Sequence, residues 1–222
     1  MKCKHIYLII SGVIIFFIGC SSNESSVPLT TKPKEMGSFI DARDGKIYKT
    51  IKIDDQWIMA ENLAYKPANG NYWAYDNDTM NVARYGYLYD WETAKQVAPP
   101  GWHLPTESDF LTFRKSLGGK RDLYKYLGGT MELVYKQMVV GGCGFKALMA
   151  GVRRGDGKFF GLGGQTDFWS STKTNNGQCF YILDAKIDGK SRGLLDSKEG
   201  TAALADEQDN ARWGKSVRLF KD

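Results

Sequence analysis

Histidine is nearly missing from this chain: two occur in 222 residues, His5 inside an apolar N-terminal run and His103 near the middle. A zinc site built on several imidazoles is excluded on that count. Any Ser-His-Asp or Cys-His arrangement would have to use His103. That residue lies in Pro99-Pro100-Gly101-Trp102-His103-Leu104-Pro105, where rigid and bulky neighbours suit a hydrogen-bonded structural histidine better than a base. Cysteine is sparse too, at four. Neither Cys143 nor Cys179 sits in a CxxC or beside a histidine, which counts against a metal or redox pair. Charge of one sign is scarce: the formal net charge is +5, and beyond residue 19 there is no run of basic residues. Nucleic acid, which calls for basic stripes, is therefore not a partner. These shortages lead us to expect no catalytic constellation, no cofactor and no resident metal.

Only one long apolar run is present, and it opens the chain. Met1-Lys2-Cys3-Lys4 precedes an apolar core from Ile6 to Ile18, followed by Gly19-Cys20-Ser21-Ser22. Lysines, a short apolar stretch and a small residue before a cut are the parts of an export signal. As a helix of about thirteen residues the stretch would span ~20 Å, short of the ~30 Å a permanent span must cross. Phe17-Ile18-Gly19-Cys20 resembles the lipobox of bacterial lipoproteins, with Phe17 where Leu is commoner. On this reading residues 1–19 are a signal peptide and Cys20 becomes the acylated first residue. Two or three acyl chains give stable anchoring where one is marginal. The partner so implied is the membrane, and the expected location is the outer membrane, on its cell-surface or periplasmic side.

Removal of residues 1–19 would take away Lys2 and Lys4 and lower the formal charge from +5 to +3. Of the remaining cysteines, Cys143 and Cys179 would lie in an oxidising compartment where free thiols are uncommon, so we expect them to pair. Closing that loop of about 35 residues would stabilise the fold by ~3–4 kcal/mol. Residues 20–38 form a tether rich in Ser, Thr, Pro and Lys without apolar periodicity. Its eighteen residues after Cys20 would hold the domain ~25 Å from the membrane.

The globular domain is assigned to 39–222. Asp44-Gly45 reads as a turn, with alternation at Ile47, Lys49, Ile51 and Ile53 marking a strand and Gln56 to Ala60 its return. Asp41, Asp44 and Gly45 are turn chemistry rather than a calcium loop, since the spacing is not that of an EF-hand. Helices are predicted over 85–97, ended by Pro99-Pro100, and from Thr106, where Thr106-Glu107-Ser108-Asp109 resembles a capping box. A short helix over 121–127 stops at Gly128-Gly129, and 130–140 is ambiguous between helix and strand. Later strands are predicted at 145–152, 168–172, 179–187, 191–195 and 215–220, with a hairpin at Asp188-Gly189 and a long loop over 196–212. Strands, helices and strands again argue an α+β fold.

Several segments in this order resemble the Fibrobacter succinogenes major paralogous domain family. They are Asp41-Ala-Arg-Asp-Gly-Lys-Ile-Tyr-Lys-Thr-Ile-Lys-Ile53, Trp57-Ile-Met-Ala-Glu-Asn-Leu63, Tyr75-Asp-Asn-Asp78 and Tyr85-Gly-Tyr-Leu-Tyr-Asp-Trp91. Gly101-Trp-His-Leu-Pro-Thr-Glu107, Gly144-Phe145, Phe168-Trp-Ser-Ser-Thr172 and Ser216-Val-Arg218 continue the series. The resemblance implies a C-type lectin-like fold, with two main helices and a short-stranded, loop-rich antiparallel sheet. This chain departs from the family's habit of cysteine where Ala98 and Leu219 stand. The Glu-Pro-Asn, Gln-Pro-Asp and Trp-Asn-Asp motifs of calcium-dependent lectins are absent, so Asp76 and Asp78 are not read as a metal site. His103-Leu-Pro-Thr-Glu107 is similar to a segment of the formylglycine-generating enzymes of the same fold, but no cysteine follows Cys179 to supply their chemistry. The expectation is a binding or adhesion module, not an enzyme, with a glycan or a surface protein as ligand; the alternative is a structural subunit of a surface assembly. Tyr72, Trp73 and Tyr75, placed in a loop, are the expected ligand-contacting residues, because exposed aromatic faces stack on sugars or pack at interfaces.

Overall fold

A computed structural model of the chain describes residues 9–10, 13–14, 33, 35–119, 130–139, 142–187, 190–191, 200–207 and 211–222. Cys20, the short helix expected over 121–127 and the Asp188-Gly189 turn lie outside the described residues, as does most of the tether. Within the N-terminal apolar run, Ile9–Ile10 pairs with Val13–Ile14.

The fold is α+β, and the two larger sheets among the described residues are almost wholly antiparallel. The first begins with a hairpin: β1 (Glu35–Ile40) pairs with β2 (Ile47–Ile53), which turns through Asp54 and Asp55 into β3 (Gln56–Met59). Gly45 takes φ 73° in the first turn, a conformation glycine adopts without steric cost. β1 starts at Glu35, four residues inside the segment assigned to the tether. The chain then forms β4 (Tyr72–Trp73), α1 (Val82–Tyr85), β5 (Leu88–Tyr89) and α2 (Trp91–Ala94). The helix expected over 85–97 is thus replaced by a strand flanked by two single turns. Gly86 at φ 74° ends the first, and Leu88 and Tyr89 pair with Trp73 and Tyr72 instead of continuing a helix. Apolar residues at helical spacing were satisfied by burial from a different backbone.

β6 (Trp102–His103) leads to α3 (Glu107–Ser116), whose capping box is present: Thr106 Oγ1 accepts from Asp109 N, and Asp109 Oδ2 accepts from Thr106 N. The ambiguous stretch forms α4 (Thr130–Val139). The second sheet holds β7 (Ala150–Arg153), β8 (Phe159–Leu162), β9 (Gln165–Thr174), β10 (Gly177–Ile187), β11 (Lys190–Ser191) and β12 (Gly200–Glu207). Its order is β8-β7-β9-β10-β11, with β12 also on β10. β12 corrects the loop expected over 196–212: Gly200 to Glu207 pairs residue for residue with Gln178 to Ala185. Alanine-rich acidic sequence carries little β propensity, and the ladder supplied by β10 overrides it. The strand expected from 145 begins only at Ala150.

The terminal segment joins the two sheets. Of the strand expected over 215–220, only Phe220 falls within β13 (Phe220–Lys221), which lies between β3 and β6. Upstream it makes single bridges, Tyr89 with Lys215, Arg153 with Gly214 and Phe168 with Ser216. Side chains alternate along a strand, so neighbours divide between two cores. Phe168, Tyr181 and Phe220 enter one with Ile51, Phe110 and Phe113. Trp169, Phe180 and Leu219 enter the other with Tyr48, Tyr89 and Trp91. Ala98 packs on the same cluster that contains Leu219.

The expected Cys143–Cys179 bridge is not present. Both thiols are free and buried, and Cys143 Sγ contacts the Gln137 carbonyl at 3.1 Å. Cys143 packs in the first core, and Cys179 on β10 stands opposite Asp206 of β12, so the two are parts of different surroundings.

Candidate functional site

Short, polar elements around α2 and the β1–β2 turn build a concavity. Asp90 caps α2, its Oδ1 accepting from Thr93 N at 2.8 Å, while its Oδ2 accepts from Asn71 Nδ2 at 2.7 Å. Thr93 Oγ1 accepts from Asn71 N at 2.8 Å. Gly70 lies so close that an added Cβ would stand 2.4 Å from Thr93 Oγ1, and its φ is 100°. Only glycine fits there. On the other wall, Arg43 projects from the β1–β2 turn. Its guanidinium grips Asp41 through Nε to Oδ1 at 2.8 Å and Nη2 to Oδ2 at 2.6 Å, and lies 3.7 Å from the Tyr65 ring centroid. Burial works to raise the Asp41 carboxyl, but hydrogen bonds and charge from Arg43 outweigh it and hold the group below the usual carboxylate range.

Between these walls lies a cleft of about 290 Å³, near the lower end of small-molecule sites, which run from roughly 300 to 1,000 Å³. Asn69, Asn71, Glu92 and Gln96 line it and are exposed. They offer amide donors and acceptors and one carboxylate beside an aromatic ring held by a guanidinium. Glu92 is partnered by Lys95 at 2.9 Å. Chemically this suits hydroxyl and amide groups, with Tyr65 as the apolar element. The sequence reading missed every one of these residues. The available signal was the turn-rich Pro67-Ala-Asn-Gly-Asn71 beside a capping Asp90, which marks a rigid polar loop.

The expected ligand residues stand elsewhere. Tyr72 and Trp73 are half-buried in β4 rather than in a loop. Tyr72 packs edge-on against Tyr87, with centroids 5.1 Å apart, and the Arg153 guanidinium covers the Trp73 ring at 4.0 Å. Tyr75 is buried against Phe159 at 5.2 Å, and burial raises its phenol. Tyr75 is thus enclosed, while Tyr72 and Trp73 each keep part of their surface outside the packing. Asp78 Oδ1 caps the next turn by accepting from Met80 N at 2.9 Å, and Asp76 adopts φ 53°. Among the described residues no group of three or more His, Cys, Asp and Glu side chains is placed to hold a metal.

Three further polar clusters tie elements together. His103 bridges Asp222 at 2.7 Å and Asp109 at 3.3 Å, linking β6 to the start of α3 and the chain's last residue. Arg218, fully buried, donates through Nε to Asn62 Oδ1 at 2.8 Å, through Nη2 to the Lys146 carbonyl at 3.1 Å, and through Nη1 to the Phe145 carbonyl. Burial lowers it to about 9, so it carries its charge at neutral pH. Lys215 Nζ lies 2.5 Å from Asp167 Oδ2 and 3.5 Å from the Phe180 ring centroid, with Trp169 and Trp213 about it at 5.1 and 5.0 Å.

No curated protein and no solved structure matches the chain. A family model does: that of the Fibrobacter succinogenes major domain, over residues 51–221. The match runs from the middle of β2 to the final strand, and so takes in the second sheet, the cleft's α2 wall, the Arg218 and Lys215 ties, and His103 with Asp109. The chain belongs to the Fibrobacter succinogenes major domain family.

Proposed function

We propose that this protein is a lipid-anchored extracytoplasmic binding module of C-type lectin-like fold, which holds a glycan or a polar peptide of a surface protein in the Arg43–Tyr65–Gln96 cleft. The cleft carries this reading: it concentrates exposed amides and one carboxylate around an aromatic side chain on backbone fixed by Asp90, Thr93 and Gly70. Multiple neutral donors and acceptors match the hydroxyls of a sugar or the amides of a peptide. Binding is favoured over catalysis because the charged groups here already have partners, Arg43 with Asp41, Asp90 with Asn71 and Glu92 with Lys95. His103, engaged with two carboxylates, stands among the structural ties. The anchor rests on the lipobox-like Phe17-Ile18-Gly19-Cys20, and no helix among the described residues is long and apolar enough to cross a membrane.

Two measurements test the proposal. Palmitate labelling should tag the wild-type chain and not Cys20→Ser. A glycan array and a pull-down on intact cells should yield a ligand whose retention falls when Asn69→Ala and Gln96→Ala are combined. Both side chains are exposed, so the fold should survive the change. A ligand held equally well by that variant would place the site elsewhere.

A further inference from the structure

Among the described residues five large apolar side chains stand exposed: Met36 at 69%, Ile40 at 65%, Ile47 at 60%, Met80 at 81% and Leu162 at 40%. Three of the five belong to the β1–β2 hairpin, and its register puts them on one face. Ile40 is paired with Ile47, and Met36 lies two pleats along the same side as Ile40, opposite Ile51. Ser38 and Lys49 fill the position between. The opposite face carries Phe39, Tyr48 and Thr50, with Tyr48 in the second core. The strip therefore points away from the aromatic core that backs the cleft. β1 is also the outer strand of its sheet.

Singly exposed apolar residues need no explanation, but three aligned on one face of an edge hairpin mark an interaction surface. Its position indicates the occupant. The chain enters the domain on this same face: a Cβ on Gly144 would meet Ile51 Cγ2 at 3.1 Å and Pro33 Cγ at 3.4 Å, so Pro33 lies beside the Ile51 that faces Met36. Fourteen residues separate Cys20 from Glu35, a length of chain that reaches at most about 50 Å. A lipid at Cys20 would hold the strip within that reach of the headgroups. Lys49, exposed, lies within the strip, and a cation next to apolar side chains suits an anionic membrane surface.

We propose that the Met36–Ile40–Ile47 strip docks on the membrane to which Cys20 is anchored, seating the domain at a set orientation with its cleft side turned off the lipid-facing strip. This inference rests on the anchored reading above. The full chain, produced in a lipoprotein-processing bacterium, is reconstituted in vesicles of phosphatidylethanolamine and phosphatidylglycerol. An environment-sensitive dye is attached at Lys49→Cys or, as the control on the other sheet, at Asp156→Cys; Cys143 and Cys179 are buried and do not compete. Doxyl-labelled lipid should quench the dye at position 49 several-fold more than the dye at 156. The combined Met36→Ser, Ile40→Ser and Ile47→Ser variant should lose that difference while its palmitate label persists. Equal quenching at both positions in palmitate-labelled protein overturns the docking and leaves the anchor standing. Failure of the wild-type chain to take up palmitate overturns both. Self-quenching that grows with protein density, without doxyl quenching, would assign the strip to a second copy of the chain instead and overturn membrane docking.

Discussion

The buried pair of Lys215 and Asp167 should be the most sensitive point in the fold. Lys215 is 0% and Asp167 1% exposed, and their 2.5 Å contact is supplemented by Gln165 Nε2, which donates to Asp167 Oδ1 at 3.0 Å. Lys215→Met preserves the stem's packing among Phe180, Trp169 and Trp213 but removes the cation. The carboxylate is then stranded out of water, a change that costs about 3–5 kcal/mol, a large share of a typical stability of roughly 5–15 kcal/mol. In urea, with a slope of about 2 kcal/mol per molar, the midpoint should fall by about 1.5–2.5 M. Adding Asp167→Leu removes the orphan charge. The double variant should recover most of the loss, remaining about 1–2 kcal/mol below wild type because Gln165 loses its acceptor. The pair is shielded from solvent, so these differences should change little between low and high salt. A single variant costing under about 1 kcal/mol, or a double variant as unstable as the two losses added, would refute the assignment.

Other outcomes follow from the same geometry. Burial pushes the Cys143 thiol up to about 11 and, with Glu107 and Asp206 adding to burial, Cys179 up to about 12, against an ordinary value of 9.0. Tyr48, Tyr89 and Tyr181 are likewise raised by burial. A raised folded value stabilises fully below the unfolded one and is lost as pH climbs through it, so denaturation midpoints should decline from about pH 9 upward. Arg218 acts with the opposite sign, since its folded value is lowered. Both thiols should resist a soluble disulfide reagent at pH 8 until the chain is unfolded, then react together; rapid reaction in the native state would contradict their burial. Arg218→Lys cannot reach Asn62 and the Phe145 and Lys146 carbonyls at once, and should cost about 3 kcal/mol in chemical denaturation. Thr106→Ala removes one half of the α3 capping box and should cost about 1 kcal/mol with no change in the cleft's ligand binding.

Local chemistry was legible in the sequence wherever a few neighbouring residues decide the backbone. The Asp44-Gly45 turn, the strand from Ile47 to Ile53 and the Thr106–Asp109 cap lie where these short-range patterns place them. Residues 85–97 show where that reasoning fails. Leu88 and Trp91 suit a helical face, yet β4 provides a strand partner and Gly86 a break, so a different backbone buries the same side chains. For 200–207 the deciding partner is β10, whose ladder outweighs alanine's weak preference for strands. No local pattern in Tyr72 to Tyr75 reveals that Arg153 covers the Trp73 ring and Phe159 packs on Tyr75, each from some eighty residues away.

By itself the sequence determined the turn and cap positions, the α+β order of elements and the family to which the chain belongs, because these depend on short-range sterics and on motifs carried in order. Only the tertiary structure decided that Cys143 and Cys179 remain apart, that Lys215 meets Asp167 and Arg218 meets Asn62. It alone brought Arg43 from a turn to Tyr65 across from Asn71 and Glu92. Those contacts join residues distant along the chain, and no periodicity records them, since they exist only once two sheets have fixed the distance between their ends.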